Sequence, residues 1–422
     1  MSIEHSQKVP FRAAGYSWAI REPWPDPEGL RVVIRRLERL ALLFVYVMPL
    51  LAQPAVPEGM KRVEFEGSPA LLLRNNRIEL TMLPKGGAFV HLTLRDDPTG
   101  MSPLWNPARM ARETGKKPRP AGGGHFVCVD GFGEVSPEEK AAGLPGHGEA
   151  HREPWAITET EKKGGVLSVS FLAELPLAQE RFRRTVRMVD GESVIYVESS
   201  LESLLSFDRP VFWAEHATIG SPFLEPGKTV VDMPAKQSKT RTHIDEGGPY
   251  PHRLKDFVEF TWPNAPGEKG ETIDLRVAPL APHSLDHTTS LMDPERPLVF
   301  VTALHTERQL LLGYVFKREE FPWLQCWDNY APDGDMARGM EFSTQPFDVP
   351  RREVLDKGKL FGTSVFRWLP ARSAIQSRFL FFYTKVPAGF TRVDDVVLRE
   401  GKLLITDVTA GKTVHLAASR GL

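Results

Sequence analysis

Cysteine is scarce in this chain: Cys128 and Cys326 are the two thiols among 422 residues, and a long stretch of sequence separates them. Two cysteines are too few for the dense disulfide framework of a small secreted domain, and they supply too few ligands for a thiolate metal cluster. A single bridge between them stays open, but buried cysteines commonly act as small apolar residues. We therefore expect two free, buried thiols, and no metal site is predicted.

An excess of charge of either sign is also missing, because 53 Lys and Arg residues stand against 54 Asp and Glu residues, for a formal net charge of −1. A composition with this balance of charges produces no overall electrostatic field that would attract nucleic acid or an anionic membrane. Uncharged apolar runs are short as well, and none reaches the roughly 20 residues that a membrane-spanning helix needs. Nucleic-acid partners and a stable membrane span in the mature chain are therefore not expected.

Two widespread catalytic motifs do not occur. The Gly-Lys-Thr triplets that begin at Gly227 and Gly411 lack the earlier glycine of a phosphate-binding P-loop. No Gly-x-Ser-x-Gly elbow carries a nucleophilic serine. The sequence therefore shows neither a P-loop nucleotide site nor a serine-nucleophile elbow, and no cofactor is predicted.

The N-terminal region contains a basic segment followed by an apolar one. Four arginines lie within residues 31–39, and the next 13 residues, 40–52, are uncharged and end in Ala52. This order is typical of a secretory signal, which is shorter than a membrane span. We expect residues 1–52 to be an N-terminal extension with a short helical signal-like segment, cleaved near Ala52, and the protein to be periplasmic or secreted. An amphipathic N-terminal helix, an uncleaved anchor and a start downstream of Met1 are the alternatives.

Alternation of apolar and polar residues, as in residues 193–198, dominates the rest of the chain. Such short period-two runs, broken by 34 glycines and 36 prolines, predict an all-β sandwich, which we place at residues 58–387. A turn at Gly401 predicts that residues 388–422 form a C-terminal β-hairpin appendage. Residues 107–125 lack the alternation and are rich in Lys, Arg, Pro and Gly, so a long surface loop is expected there.

Three residues that can carry a proton stand out in this β-rich background: His147, His216 and Glu341. Imidazole and carboxyl groups can each donate or accept a proton near neutral pH once their surroundings shift their pKa. Two imidazoles and one carboxylate are what is needed to move protons on and off the anomeric hydroxyl and the ring oxygen of a sugar. Structural roles are the alternatives: a solvated loop histidine, a core histidine and a buried ion pair, respectively.

His147 and His151 also have the His-x-x-x-His spacing, with Glu149 between them. That spacing binds zinc when it falls on one face of a helix. Gly148 and Pro154 disfavour a helix in this segment, and with it a zinc site.

Residues 321–330 place Trp323, Gln325, Trp327 and Asn329 at alternate positions, so a strand would present all four on one face. Tryptophan rings can stack on the C–H faces of a pyranose, and side-chain amides can bind its hydroxyl groups. This face therefore suits a sugar. Core packing accounts for the tryptophans equally well.

Four segments together carry a resemblance to a known family, and they occur in the order 145–155, 215–224, 321–327 and 339–341. They contain Pro-Gly-His-Gly leading to a tryptophan, Glu-His followed by Gly-x-Pro-Phe-Leu, Phe-Pro-x-Leu-x-x-Trp, and Gly-Met-Glu. The set resembles the galactose mutarotase-like proteins, the aldose 1-epimerase superfamily, over roughly residues 63–387.

The resemblance implies a β-supersandwich with a shallow sugar cleft. It implies that His216 is the general acid, that Glu341 is the general base, and that His147 helps to orient the sugar and polarise its ring oxygen. Asp328 is assigned as the family's sugar-binding aspartate. The family's Gly-Arg-x-x-Asn-Arg motif is absent from the corresponding residues 124–131.

The activity that the resemblance implies is that of an aldose 1-epimerase-like isomerase of carbohydrate metabolism, which interconverts sugar anomers without a cofactor. A small-molecule sugar or the end of a glycan is the expected partner, and no oligomeric state is predicted. A non-catalytic carbohydrate-binding β-sandwich is the alternative, and a structural module of an envelope assembly is a third.

Overall fold

A computed structural model describes residues 56–117, 123–241 and 250–422. The predicted signal-like segment of residues 1–52 lies outside these ranges, so its helix, its cleavage and the export that depends on them stay predictions. Residues 56–422 form one compact unit. Within the described ranges, no helix is long and apolar enough to cross a membrane.

Strands account for most of the regular structure. In chain order they are β1 (Met60–Phe65), β2 (Ser68–Arg74), β3 (Ile78–Met82), β4 (Phe89–Leu94), β5 (His125–Val129), β6 (Ala156–Lys163), β7 (Val166–Leu175), β8 (Glu180–Val189), β9 (Val194–Ser203), β10 (Arg209–Val211), β11 (Trp213–Gly220), β12 (Thr229–Asp232), β13 (Ala235–Thr240), β14 (Glu259–Thr261), β15 (Asn264–Pro266), β16 (Thr272–Asp274), β17 (Ser284–Met292), β18 (Leu298–His305), β19 (Leu310–Lys317), β20 (Trp323–Tyr330), β21 (Ala337–Ser343), β22 (Lys359–Leu360), β23 (Thr363–Ser364), β24 (Arg367–Leu369), β25 (Ala374–Lys385), β26 (Asp395–Arg399), β27 (Lys402–Asp407) and β28 (Lys412–Ala417). Within the described ranges, three short helices accompany them: α1 (Pro107–Thr114), α2 (Pro137–Ala141) and α3 (Arg351–Lys357).

Two large antiparallel sheets build the core. The first has thirteen strands in the order β1-β2-β3-β4-β5-β11-β21-β20-β17-β13-β14-β15-β16, and the second has eight in the order β12-β18-β19-β25-β9-β8-β7-β6. Aromatic side chains from the two sheets meet between them, and the rings of Tyr314 on β19 and Phe342 on β21 lie 5.7 Å apart. The predicted all-β sandwich is confirmed.

The burial pattern differs between the two sheets. In β8, Phe182, Val186 and Met188 turn toward the core while Arg183 and Arg187 turn outward, which is the alternation expected of a half-exposed strand. β11 is buried along its whole length. One face of β11 packs in the core, and its other face forms part of the floor of a cleft.

The expectation of a continuous loop at residues 107–125 is wrong, because residues 107–114 form α1. Asn106 caps this helix by accepting a hydrogen bond from the Arg109 N–H at 2.9 Å, and Gly115 ends it with a φ of 72°. Trp105, just before the cap, is buried. The helix therefore follows directly on a residue that lines the cleft.

The C-terminal segment forms a small three-stranded sheet, β26-β27-β28. The predicted hairpin is its first part, with Gly401 at a φ of 72° in the turn, and the third strand adds to it. Leu403 and Ile405 belong to the same buried hydrophobic cluster as Leu380 and Phe382 of β25. This small sheet thereby covers part of the outer face of the eight-stranded sheet.

Candidate active site

A cavity of about 380 Å³ lies over the middle of the thirteen-stranded sheet, on the face turned away from the core. Its floor comes from the neighbouring strands β5, β11, β21, β20 and β17. Aromatic side chains form much of its wall, and its ionisable lining residues include His147, His151, His216, His287, Glu341 and Asp348.

His216 and Glu341 meet because of strand register. β11 and β21 pair so that these two residues are direct cross-strand partners, and both side chains point into the cleft. His216 Nε2 lies 3.1 Å from Glu341 Oε1. On its other side, His216 pairs with Phe126 of β5, and the two rings are stacked with centroids 4.2 Å apart. The register thus brings together the predicted acid and the predicted base.

Burial shifts the pKa of both groups toward their neutral forms. It lowers the pKa of His216 well below the ordinary value, with a further contribution from His147. It also raises the pKa of Glu341 well above the ordinary value, and the negative charge of Asp348 adds to that effect. Both shifts favour a protonated carboxyl facing a neutral imidazole. The His216 Nδ1 lies 3.0 Å from the Thr218 hydroxyl, which holds the ring in place.

Gly339 provides the space in which the Glu341 carboxyl lies. A Cβ atom added to Gly339 would stand 2.1 Å from Glu341 Oε1, which is too short for any contact between these atoms. The side chain of Glu341 therefore lies back over Gly339 toward His216. A residue with a side chain at position 339 would force the carboxyl away.

His147 lies on a turn with a φ of 65°, between Gly146 and Gly148. Its ring is fixed by Gly133, whose N–H donates to Nδ1 at 3.2 Å. Because Nδ1 accepts, the ring proton of the neutral imidazole is on Nε2, where it can be donated. Burial lowers the pKa of His147, which favours this neutral form. The ring lies edge-on to that of His216, with centroids 5.5 Å apart.

Glu149, in the same turn, has a structural task. Its two carboxylate oxygens accept hydrogen bonds from the backbone N–H groups of Leu177 and Ala178, at 3.0 and 2.7 Å. Both oxygens are thus used in fixing the turn that carries His147 and His151. Among residues 56–117, 123–241 and 250–422, no group of three or more side chains is placed to hold a metal ion.

Trp323, Gln325, Trp327 and Asn329 do lie on one face of β20, but of the four only Trp327 lines the cavity. Its ring lies 6.1 Å from that of Trp105, between centroids. The other three side chains bind within the protein: Trp323 donates to the Ser364 carbonyl, Gln325 to that of Gln345 and Asn329 to that of Asp335.

Asp328 is not brought to the cleft. It alternates with Trp327 and so points to the opposite face of β20, where its Oδ1 lies 3.1 Å from the Nε of Arg338. Both side chains are fully buried. The aspartate assigned from the resemblance is therefore half of a core ion pair.

Among the cleft residues that the sequence prediction missed are His287 on β17 and Asp348 after β21. Arg241 binds Asp348 through an ion pair and a hydrogen bond. Burial alone would raise the pKa of Asp348, but the charge of Arg241 outweighs it, and the pKa falls to about 2. Asp348 is thus a fixed negative charge in the cleft.

Comparison with known proteins finds solved structures with a similar fold, but it finds no relative by sequence. No protein-family model matches the chain, and no curated protein matches it by sequence. Solved structures do match. A galactose mutarotase-like protein from Clostridium acetobutylicum is similar over 78% of this chain and 98% of its own, at 12% identity and a TM-score of 0.53. This chain has the galactose mutarotase-like fold.

Other solved structures agree with that fold. A galactose mutarotase-like protein from Lactobacillus casei is similar over 75% of this chain and all of its own, at 11% identity and a TM-score of 0.50. A candidate aldose 1-epimerase from Klebsiella pneumoniae subsp. pneumoniae is similar over 77% of this chain and 82% of its own, at 13% identity and a TM-score of 0.53. Residues 124–131, which lack the arginine motif described above, include β5. Phe126 of β5 lines the cleft.

Proposed function

We propose that this protein interconverts the anomers of a hexose-like sugar by general acid–base catalysis, without a cofactor. The observation that carries the proposal is the 3.1 Å approach of His216 Nε2 to Glu341 Oε1 at the floor of a cavity of about 380 Å³. An imidazole and a carboxyl at this separation can exchange protons with two oxygen atoms that are neighbours in the substrate. The ring oxygen and the anomeric hydroxyl of a sugar are such a pair.

The proposed reaction begins with transfer of the Glu341 proton to His216, which gives a carboxylate and an imidazolium. The carboxylate takes the proton of the C1 hydroxyl, the bond between C1 and the ring oxygen breaks, and His216 protonates the ring oxygen. Glu341 is then protonated and His216 neutral, as their pKa shifts favour in the buried cleft. Rotation about C1–C2 and reversal of each transfer yield the other anomer.

The surrounding residues suit this chemistry. The Nε2 proton of His147 can be donated to the ring oxygen, because Gly133 occupies Nδ1. Asp348, which stays ionised beside Arg241, favours the imidazolium that forms on His216. Phe126, Trp105 and Trp327 supply flat apolar surfaces for the C–H faces of a sugar, in a cavity of the size that small ligands occupy.

A non-catalytic sugar-binding protein is the second candidate, favoured by the two neighbouring tryptophans in the cleft, Trp105 and Trp327. Such a protein would bind a sugar or a glycan end by stacking and would not depend on Glu341. In either case we propose that the protein acts after export, on the basis of its predicted signal-like segment.

Polarimetry of freshly dissolved α-glucose and α-galactose tests the proposal. The wild-type protein should speed the approach to the equilibrium rotation, and Glu341→Gln should slow catalysis by about 100-fold or more, because the amide cannot take a proton. Glu161→Gln, at an exposed position of β6, is the matched control and should behave as wild type. Full activity of folded Glu341→Gln would contradict the mechanism.

A further inference from the structure

His287 has hydrogen-bonding capacity that nothing in the described chain uses. The residue is 6% exposed and lines the cavity, yet neither ring nitrogen has a hydrogen-bond partner among the described residues. Buried polar atoms almost always have a partner in folded proteins. A molecule held in the cavity is the natural source of the missing one.

The position of His287 in the sheet sets it across the floor from the acid–base pair. His287 of β17 pairs with Trp327 of β20, and Trp327 pairs with Gly339 of β21, two residues before Glu341 on the same face. Two strand spacings, about 10 Å in all, separate β17 from β21. A sugar ring lying over Trp327 would therefore have Glu341 at one edge and His287 at the other.

Asp348 determines which nitrogen of His287 can accept a hydrogen bond. Asp348 Oδ2 lies 3.6 Å from Nδ1 of the ring, and the ion pair with Arg241 keeps that carboxylate ionised and in place. A carboxylate beside Nδ1 favours the proton on that nitrogen. Burial lowers the pKa of His287 to about 3, so the ring stays neutral and Nε2 is an acceptor.

We propose that Nε2 of His287 accepts a hydrogen bond from one non-anomeric hydroxyl of the sugar, with Asp348 and Arg241 as positioning residues, so that the cleft selects sugars with that hydroxyl free. This inference rests on the proposed sugar-anomer activity and adds a specificity determinant to it. His287 then binds the substrate at the edge opposite the reacting carbon.

The test uses glucose and its 2-, 3-, 4- and 6-deoxy analogues, all of which keep the anomeric hydroxyl and can be turned over. For each compound, kcat and KM are measured with the wild-type protein and with His287→Phe, which keeps a planar ring and removes both nitrogens. The wild type should disfavour one analogue by about 3- to 10-fold in kcat/KM, the loss expected for one neutral hydrogen bond. With His287→Phe, glucose should fall to the level of that analogue and the discrimination should vanish.

Two further variants keep the outcome interpretable. His287→Gln, whose amide oxygen can accept a hydrogen bond, should restore part of the discrimination. Thr289→Val is the matched control, since Thr289 is a buried residue on the same face of β17 that does not line the cavity. It should discriminate as the wild type does.

Asp348→Asn should weaken the discrimination against the same analogue, and no other deoxy sugar should become the disfavoured one. A positioning role for Asp348 requires this result. Equal kcat/KM of the wild type for all four deoxy sugars, or unchanged discrimination in folded His287→Phe, would overturn the role of His287 while leaving anomer interconversion intact. A wild-type protein that neither binds nor interconverts any of these sugars would refute the proposed function instead.

Discussion

Replacing Gly339 with alanine displaces the proposed base without removing any group that carries a proton. The added Cβ would lie 2.1 Å from Glu341 Oε1, 2.9 Å from its Cδ and 3.1 Å from its Cγ. Ordinary non-bonded contacts are about 3.5 Å, so the carboxyl has to move by about 1 Å or more. Gly339 has no positive φ, and the backbone itself can accommodate alanine.

A displacement of about 1 Å in a catalytic group can cost about 100-fold in rate. We therefore expect Gly339→Ala to lower kcat by about 100-fold and to change KM only a few-fold, measured by polarimetry on fresh α-glucose or α-galactose. Gly313→Ala is the matched control, because its Cβ would collide at 2.3 Å with the ring of Phe382, away from the cleft. That variant should lose thermal stability but keep the kcat of its folded fraction. Wild-type kcat in folded Gly339→Ala would refute this account of how Glu341 is held.

Three other outcomes are expected. Asp348→Asn removes a charge that raises the pKa of both Glu341 and His216, so both limbs of the pH–rate profile should move to lower pH. An unshifted profile would show that Asp348 does not influence the ionisation of these two residues. Trp327→Ala should weaken sugar binding and reduce sugar-induced fluorescence quenching, whereas Trp368→Ala, at a 58% exposed residue outside the cavity, should do neither. Mass spectrometry of protein from the source cell should show cleavage near Ala52, and an intact N-terminus on a cytoplasmic protein would contradict export.

Local sequence patterns predicted the all-β class because a two-residue period is a local property of a strand. The same two-residue period already implies that Asp328 does not face the cleft. If Trp327 and Asn329 face the cleft, the residue between them faces the opposite side, and the structure places it there beside Arg338. Helix α1 was also within reach of local signals, since Asn106 followed by Pro107 and the later Gly115 are ordinary cap residues.

His287 and Asp348 could not be found in this way. His287 enters the cleft through the pairing of β17 with β20, and Asp348 enters it from the segment after β21. Register between strands that are distant in sequence is set by the whole sheet and not by the residues of one strand. His216, Glu341 and His147 stood out as groups that can carry a proton, and the resemblance to a family supplied their roles. The meeting of His216 and Glu341 in one cavity likewise depends on that register.

Magnetisation transfer between the α- and β-anomeric protons of glucose or galactose tests the central claim most directly, because it measures interconversion at equilibrium. The account predicts that added wild-type protein produces exchange above the spontaneous rate, that Glu341→Gln abolishes this excess, and that Glu161→Gln preserves it. Binding of the sugar without any excess exchange, or equal exchange with wild-type protein and folded Glu341→Gln, would contradict the account.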